Sequence, residues 1–193
     1  MATPPGAITP PGREVALLSG DAKSETGSHA LTRFQPKDAA FESRVRESFA
    51  RQALMRTIGA ELARVEPGRV EIALPYRPDL TQQHGYLHAG ITSAIADSAG
   101  GYAGHSLFSA GSSVLTVEFK INLLAPAAGE RFVALGEVMK PGRTLTICRL
   151  EVSAIQGELR TLIAIGQQTL ICLEGQPDAL GPQTRHAAKA HPT

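Results

Sequence analysis

The chain has 193 residues, 19 basic against 18 acidic side chains and 42% hydrophobic residues, which suits one globular domain with a real core and room for tails. A formal net charge of +1 with no basic run leaves no electrostatic footprint for nucleic acid or anionic lipid. No apolar stretch nears the roughly 18 residues of a membrane span, so no membrane partner is expected.

Residues 1–38 are rich in Pro, Gly, Ser and Thr and read as a disordered N-terminal tail. Their start, MATPPGAITPPG, lacks a basic region followed by an apolar segment, which argues against a secretory leader. The folded domain is expected over residues 39–174, and a second disordered tail over 175–193. Asp38 is placed to cap a helix in which Phe41, Val45 and Phe49 recur at spacing four, running to about Met55. Two strands follow, Gly59 to Val65 and Arg69 to Pro75, divided by the turn Glu66-Pro67-Gly68. In the second, Val70, Ile72 and Leu74 alternate with Glu71 and Ala73, the period of a half-buried strand.

A polar loop, Arg77 to His84, leads to a second helix from His88 to about Leu107. Four strands then come with hairpin punctuation: Ser112 to Leu124, Arg131 to Met139, Arg143 to Ile155 and Glu158 to Leu173. Cys148 and Cys172 lie in these apolar runs and read as buried thiols, which fits a reduced, cytoplasmic setting. Tight hairpins imply an antiparallel sheet, and one long helix must cover a face of it, so the fold class is α+β. That helix is crowded with small residues, including Gly90, Gly100, Gly101 and Gly104. Helical glycine costs roughly 0.8–1 kcal/mol relative to alanine, a cost accepted where other backbone must approach closely. A curved sheet wrapped around the helix is such an arrangement.

One residue does not fit a buried helix. Asp97 lies in the middle of it and shares a face with Gly90, Ser93 and Gly101, overlooking a floor with almost no side chains. A buried lone carboxylate costs several kcal/mol unless it is bonded, so Asp97 either binds neighbouring backbone or does chemistry.

The run Gln82-Gln83-His84-Gly85-Tyr86-Leu87-His88-Ala89-Gly90, followed by Ala96-Asp97, resembles the hotdog-fold acyl-CoA thioesterases, specifically the phenylacetate-type branch. The likeness continues in Val117 to Ala127 and in Lys140-Pro141-Gly142-Arg143-Thr144-Leu145, and covers about residues 45–173. It implies a hotdog fold, a curved antiparallel sheet around a long central helix, here with an extra N-terminal helix. It also implies hydrolysis of an acyl- or aryl-CoA to free coenzyme A and carboxylate. On this resemblance Asp97 is the general base or nucleophile, and Thr116 orients the water. The backbone N–H of Ala89 and the side chain of Gln82 polarise the carbonyl. His88, Gly90, Gly142, Arg143 and Thr144 contact substrate, the last three at the hairpin that grips coenzyme A. Two departures are Ala89, where the family has glycine, and Gln82, where asparagine is commoner. The resemblance further implies a homo-oligomer, a dimer or dimer of dimers, in which Gln82 and Ala89 of one subunit meet Asp97 and Thr116 of the next. No cofactor is expected, since the CoA thioester is the substrate.

The bland readings stand beside these. His84 and His88 have metal-ligand spacing but no third ligand, so no metal is expected, and His88 reads first as a helix-start hydrogen-bonding residue. Lys140 and Arg143 read equally as solvated turn residues, and Glu118 and Lys120 as the solvent face of a strand. Two other functions remain open. Asp79 and His84 have the spacing of a hotdog enoyl-CoA hydratase pair, without its intervening Asn-Pro. A non-catalytic acyl-CoA-binding module is the other, since one fold hosts many functions.

Overall fold

The computed structural model describes residues 34–176 and 178. In chain order the elements are α1 (Phe41–Arg51), α2 (Ala53–Ile58), β1 (Glu61–Glu66), β2 (Arg69–Pro75), α3 (Ala89–His105), β3 (Ser113–Leu123), β4 (Arg131–Lys140), β5 (Leu145–Gln156) and β6 (Leu159–Leu173). The strands form one antiparallel sheet in the order β1-β2-β4-β5-β6-β3. α3 packs on one face of it, against β4, β2 and β5 above all. This is the hotdog architecture expected from the sequence, with the extra N-terminal helix. Among the described residues no helix is long and apolar enough to cross a membrane.

The small residues of α3 serve close packing on its sheet side. A Cβ on Gly136 of β4 would overlap the Ala99 carbonyl, so strand and helix backbones touch there. A Cβ on Gly100 would meet the Gln168 amide and Leu150, and one on Gly104 would meet Leu170. Gly101 has nothing within 4 Å and belongs to the open side. Around this contact Ile72, Leu74, Ile95, Phe132, Leu150, Ile163 and Leu170 are each less than 2% exposed. Truncating such a side chain costs about 2–5 kcal/mol.

The first helix departs from the single run expected to Met55. It breaks at Gln52, whose ψ of 104° is extended, and α2 begins on the next residue. On an unbroken helix Ile58 would lie about 140° around the axis from Val45. The break lets Val45, Met55 and Ile58 all reach the core, at 0%, 1% and 2% exposure. Gly59, with φ +76°, then closes α2 in the left-handed conformation, so β1 starts two residues later than Gly59. Asp38 does not occupy the cap of α1, which is Ala40. It accepts the Ala40 N–H at 3.0 Å and pairs with Arg44, also at 3.0 Å.

Arg44 in turn closes the far end of α3, donating to the carbonyls of Phe108 at 2.8 Å and His105 at 3.4 Å. Beside it His105 is buried and its Nε2 lies 3.2 Å from the Ser112 carbonyl. Most of the two expected tails, 1–38 and 175–193, lies outside the described residues. Phe34 packs on the core near Gly68, and Asp178 contacts α1.

Candidate active site

The exposed stripe of α3 is the one expected from spacing. Gly90 is exposed, and Ser93, Asp97 and Gly101 are half-buried. Asp97 meets Thr116 of β3, whose hydroxyl donates to Asp97 Oδ1 at 2.8 Å. A bulge in β3 between Thr116 and Glu118 marks this point.

A third member was not anticipated. Gln168 of β6 is 1% exposed, and its Nε2 lies 2.7 Å from Asp97 Oδ1, 3.1 Å from the Asp97 carbonyl and 2.9 Å from Thr116 Oγ1. Oδ1 therefore accepts from two neutral donors, while Oδ2 makes no hydrogen bond among the described residues. The carboxylate is held by one oxygen and open at the other, which is the posture of a base or nucleophile. The Gln168 amide fits because Gly100 has no side chain. A signal for it existed: period two puts Gln168 on the face of Ala164, Gly166 and Leu170, where a polar residue is out of place.

Ala89 and Gln82 form a second arrangement, at the start of α3. His88 is the N-cap, and its Nδ1 accepts the Gly90 N–H at 2.9 Å. Its carbonyl takes the N–H groups of Ile91 and Thr92 at 3.0 and 3.1 Å. The Ala89 N–H alone in this turn has no partner among the described residues. It lines a pocket of about 220 Å³ with Gln82, Leu87, Leu123 and Pro126. Gln82 sits in a tight loop closed by Gly85 at φ +81°, and its Oε1 accepts the His84 N–H. That bond leaves the Nε2 end as a free donor.

Asp97 and Thr116 line a different pocket of about 460 Å³, with Ser48, Arg51, Gly101 and Tyr102. Eight residues of α3 separate Ala89 from Asp97, about 12 Å along the axis. One chain thus holds the donors and the carboxylate in two places.

The remaining candidates fall elsewhere. In the β4–β5 hairpin a Cβ on Gly142 would overlap the Leu145 carbonyl, and the Thr144 carbonyl accepts from Cys172 N–H at 2.9 Å. Arg143 is exposed, and the hairpin lines neither pocket of the single chain. Asp79 is bound by Arg77 at 2.6 and 3.1 Å, and that hydrogen-bonded guanidinium holds its carboxyl below the usual range. No hydrogen bond joins Asp79 to His84, and neither lines a pocket described here.

Comparison with known proteins adds four findings. Residues 84–161 match the thioesterase superfamily. A thioesterase family protein from Silicibacter pomeroyi has a solved structure that superposes with a TM-score of 0.69 and is 51% identical, covering 70% of this chain and 99% of that one. Among curated proteins, one from Saccharolobus solfataricus to which an esterase activity is ascribed is 30% identical over 106 residues, 55% of this chain and 75% of that protein. The 1,4-dihydroxy-2-naphthoyl-CoA hydrolase of Listeria monocytogenes is 25% identical over 117 residues, 61% of this chain and 93% of that enzyme.

Proposed function

The chain belongs to the thioesterase superfamily and is a thioester hydrolase, and we propose that it cleaves acyl- or aryl-CoA thioesters to free coenzyme A and carboxylate. The observation that carries this reading is the pair of complementary arrangements along α3: an unpartnered N–H beside a free amide donor, and a carboxylate held by one oxygen. Asp97 Oδ2 takes a proton from water while the water oxygen bonds to the thioester carbon. Charge moves to the carbonyl oxygen, which the Ala89 N–H and Gln82 Nε2 receive. The carbon–sulfur bond then breaks, and the thiolate takes up the proton from Asp97. The Thr116 hydroxyl donates a hydrogen bond to Asp97 Oδ1, accepts one from Gln168 Nε2, and keeps a second lone pair for the attacking water. Attack by Oδ2 itself, through a mixed anhydride, uses the same atoms. One turnover in oxygen-18 water tests the anhydride route: label in Asp97 shows an anhydride that water opened at the Asp97 carbonyl, a position the general-base route never labels.

Donor and base 12 Å apart cannot serve one carbonyl, since each must lie within about 3 Å of its reacting atom. A second copy of the chain, turned end for end, supplies the missing half. β3 is one of the two edge strands of the sheet. On the face that β3 shares with Gln168, Phe119 and Leu123 are 42% and 55% exposed, while the polar Glu118, Lys120 and Asn122 take the other face. An uncovered apolar edge of this kind favours a homodimer, or a dimer of dimers. In that assembly His88 and Gly90 border the acyl group, and Gly142, Arg143 and Thr144 receive the nucleotide end. The phenylacetate-type branch is supported by the spacing from Gln82 through His88 to Asp97.

Thiol release from a panel of short, medium, long and aryl acyl-CoAs, in the presence of a chelator, tests the reading. We expect turnover without metal. A folded, oligomeric protein that releases no thiol from any of them refutes it and favours a binding module.

A further inference from the structure

The pocket that holds Asp97 has a far end that the reaction does not use. It lies between α1 and α3, where Ser48 and Tyr102 place hydroxyl groups and Arg51 a guanidinium. Ser48 and Tyr102 are buried, at 8% and 4% exposure, and their oxygens lie 3.3 Å apart. Burial pushes the Tyr102 phenol up to about 12, so at neutral pH it remains a proton donor. A carboxylate already sits on these groups. Asp178 accepts from the Ser48 hydroxyl, and its Oδ2 lies 2.8 Å from Arg51 Nη2. The same Arg51 nitrogen lies 3.3 Å from the Asp178 carbonyl.

We propose that Arg51 and Ser48, backed by Tyr102, form a carboxylate seat for the substrate, and that the acyl groups this enzyme takes carry a carboxylate at their far end. The proposal rests on the thioesterase reading and names its substrate class. Tyr102 lies five residues beyond Asp97 on α3, about 7.5 Å along the axis, the length of a short acyl chain. Between them the pocket is bordered by Gly101, Val114 and Leu115, which offer room and apolar contact to methylene groups. Asp178 is the stand-in that shows what the seat accepts. Its side chain and that of Arg51 are 40% and 36% exposed, so the pair is of the weak, screened kind that an incoming carboxylate displaces. The substrate carboxylate then takes the charge-assisted bonds that Asp178 vacates.

The test uses the full chain and two thioether analogues that cannot be hydrolysed, those of adipoyl-CoA and hexanoyl-CoA, titrated by calorimetry. Wild type binds the carboxylate-ended analogue about 3- to 5-fold more tightly, the scale of an ion pair at a half-exposed guanidinium. Arg51→Met abolishes that preference, and Arg51→Lys, which keeps the charge, restores part of it. Asp178→Asn removes the competitor and tightens the carboxylate analogue several-fold. Equal binding of the two analogues, binding of neither, or a preference that survives Arg51→Met in a folded protein overturns the proposal and leaves Arg51 as an anchor for Asp178. Thiol release from the matching thioesters is read in parallel. A binding preference without turnover rejects the hydrolase mechanism while upholding the seat, and turnover without preference does the reverse.

Discussion

The two ends of the candidate site are built from different materials. At the start of α3 the proposed donor is a backbone N–H, left without a partner among the described residues because His88 satisfies its neighbours with its own side chain and carbonyl. In the middle of α3 the key group is a side chain, aimed by Thr116 from one strand and Gln168 from another. A backbone donor depends on helix geometry and tolerates any small side chain, so alanine at position 89 is compatible with the proposed role. A side-chain base depends on its identity and on every contact that orients it. The rigid helix between them keeps the two apart in one chain, so the proposed mechanism has them cooperate across an interface between two copies.

The sharpest way to break this contrast is Asp97→Asn. It keeps the shape and the hydrogen bonds to Thr116 but cannot accept a proton or attack. Thiol release should fall by about 10²–10⁴ with oligomerisation intact and substrate still bound. Near-normal turnover in the folded variant would end the assignment and turn attention to Asp79 and His84.

At the other end, Gln82→Leu should reduce kcat by about 10²–10³, the usual loss for one oxyanion donor. Ala89→Gly should change kcat little, because the N–H persists; a large loss there would mean that the alanine methyl matters. Mixing the two inactive proteins sharpens the comparison further. Asp97→Asn and Gln82→Leu chains, dissociated and reassembled together, form heterodimers with one intact site, so activity should return on mixing. If mixed chains exchange and remain inactive, donors and base act within one chain and the shared site is wrong.

Gln168→Met keeps volume while removing one of the two bonds to Asp97 Oδ1. We expect kcat to fall by about 10- to 100-fold with KM unchanged, the scale set by the roughly 1.5–3 kcal/mol typical of a hydrogen bond to a charged group. A change in KM or in subunit association instead would assign Gln168 a packing role only.

The smallest effect concerns pH and a residue outside both pockets. Burial, and after it the nearby Arg44, hold the His105 imidazole below its usual pKa. As pH falls through about 6.5 the unfolded chain takes up a proton that the folded chain refuses, so stability declines below that pH. The melting temperature should drop between pH 7.5 and 5.5, and His105→Gln should flatten that limb. An unchanged slope in the variant would place the acid sensitivity elsewhere.

Much of the fold was legible in the sequence, because strand and helix periods are local and glycine and proline mark their ends. β2 matched its expected limits, and β3, β4 and β6 matched theirs to within a residue. The small residues of α3 announced a close backbone approach, which Gly136 against Ala99 supplies. Asp97 stood out as a charge where burial should forbid one. Other features needed the tertiary structure. The break at Gln52 follows from where Val45 and Ile58 must both point, and that depends on the sheet beneath them. Gln168 reaches Asp97 only through the register of β6 on β3 and the gap at Gly100, contacts between residues about 70 positions apart in the chain. Asp178 finds Arg51 across an even longer stretch of sequence. Local pattern records which faces are apolar. It carries no record of which polar side chains meet once those faces are buried, because that is set by long-range pairing of strands and by the space that glycines leave.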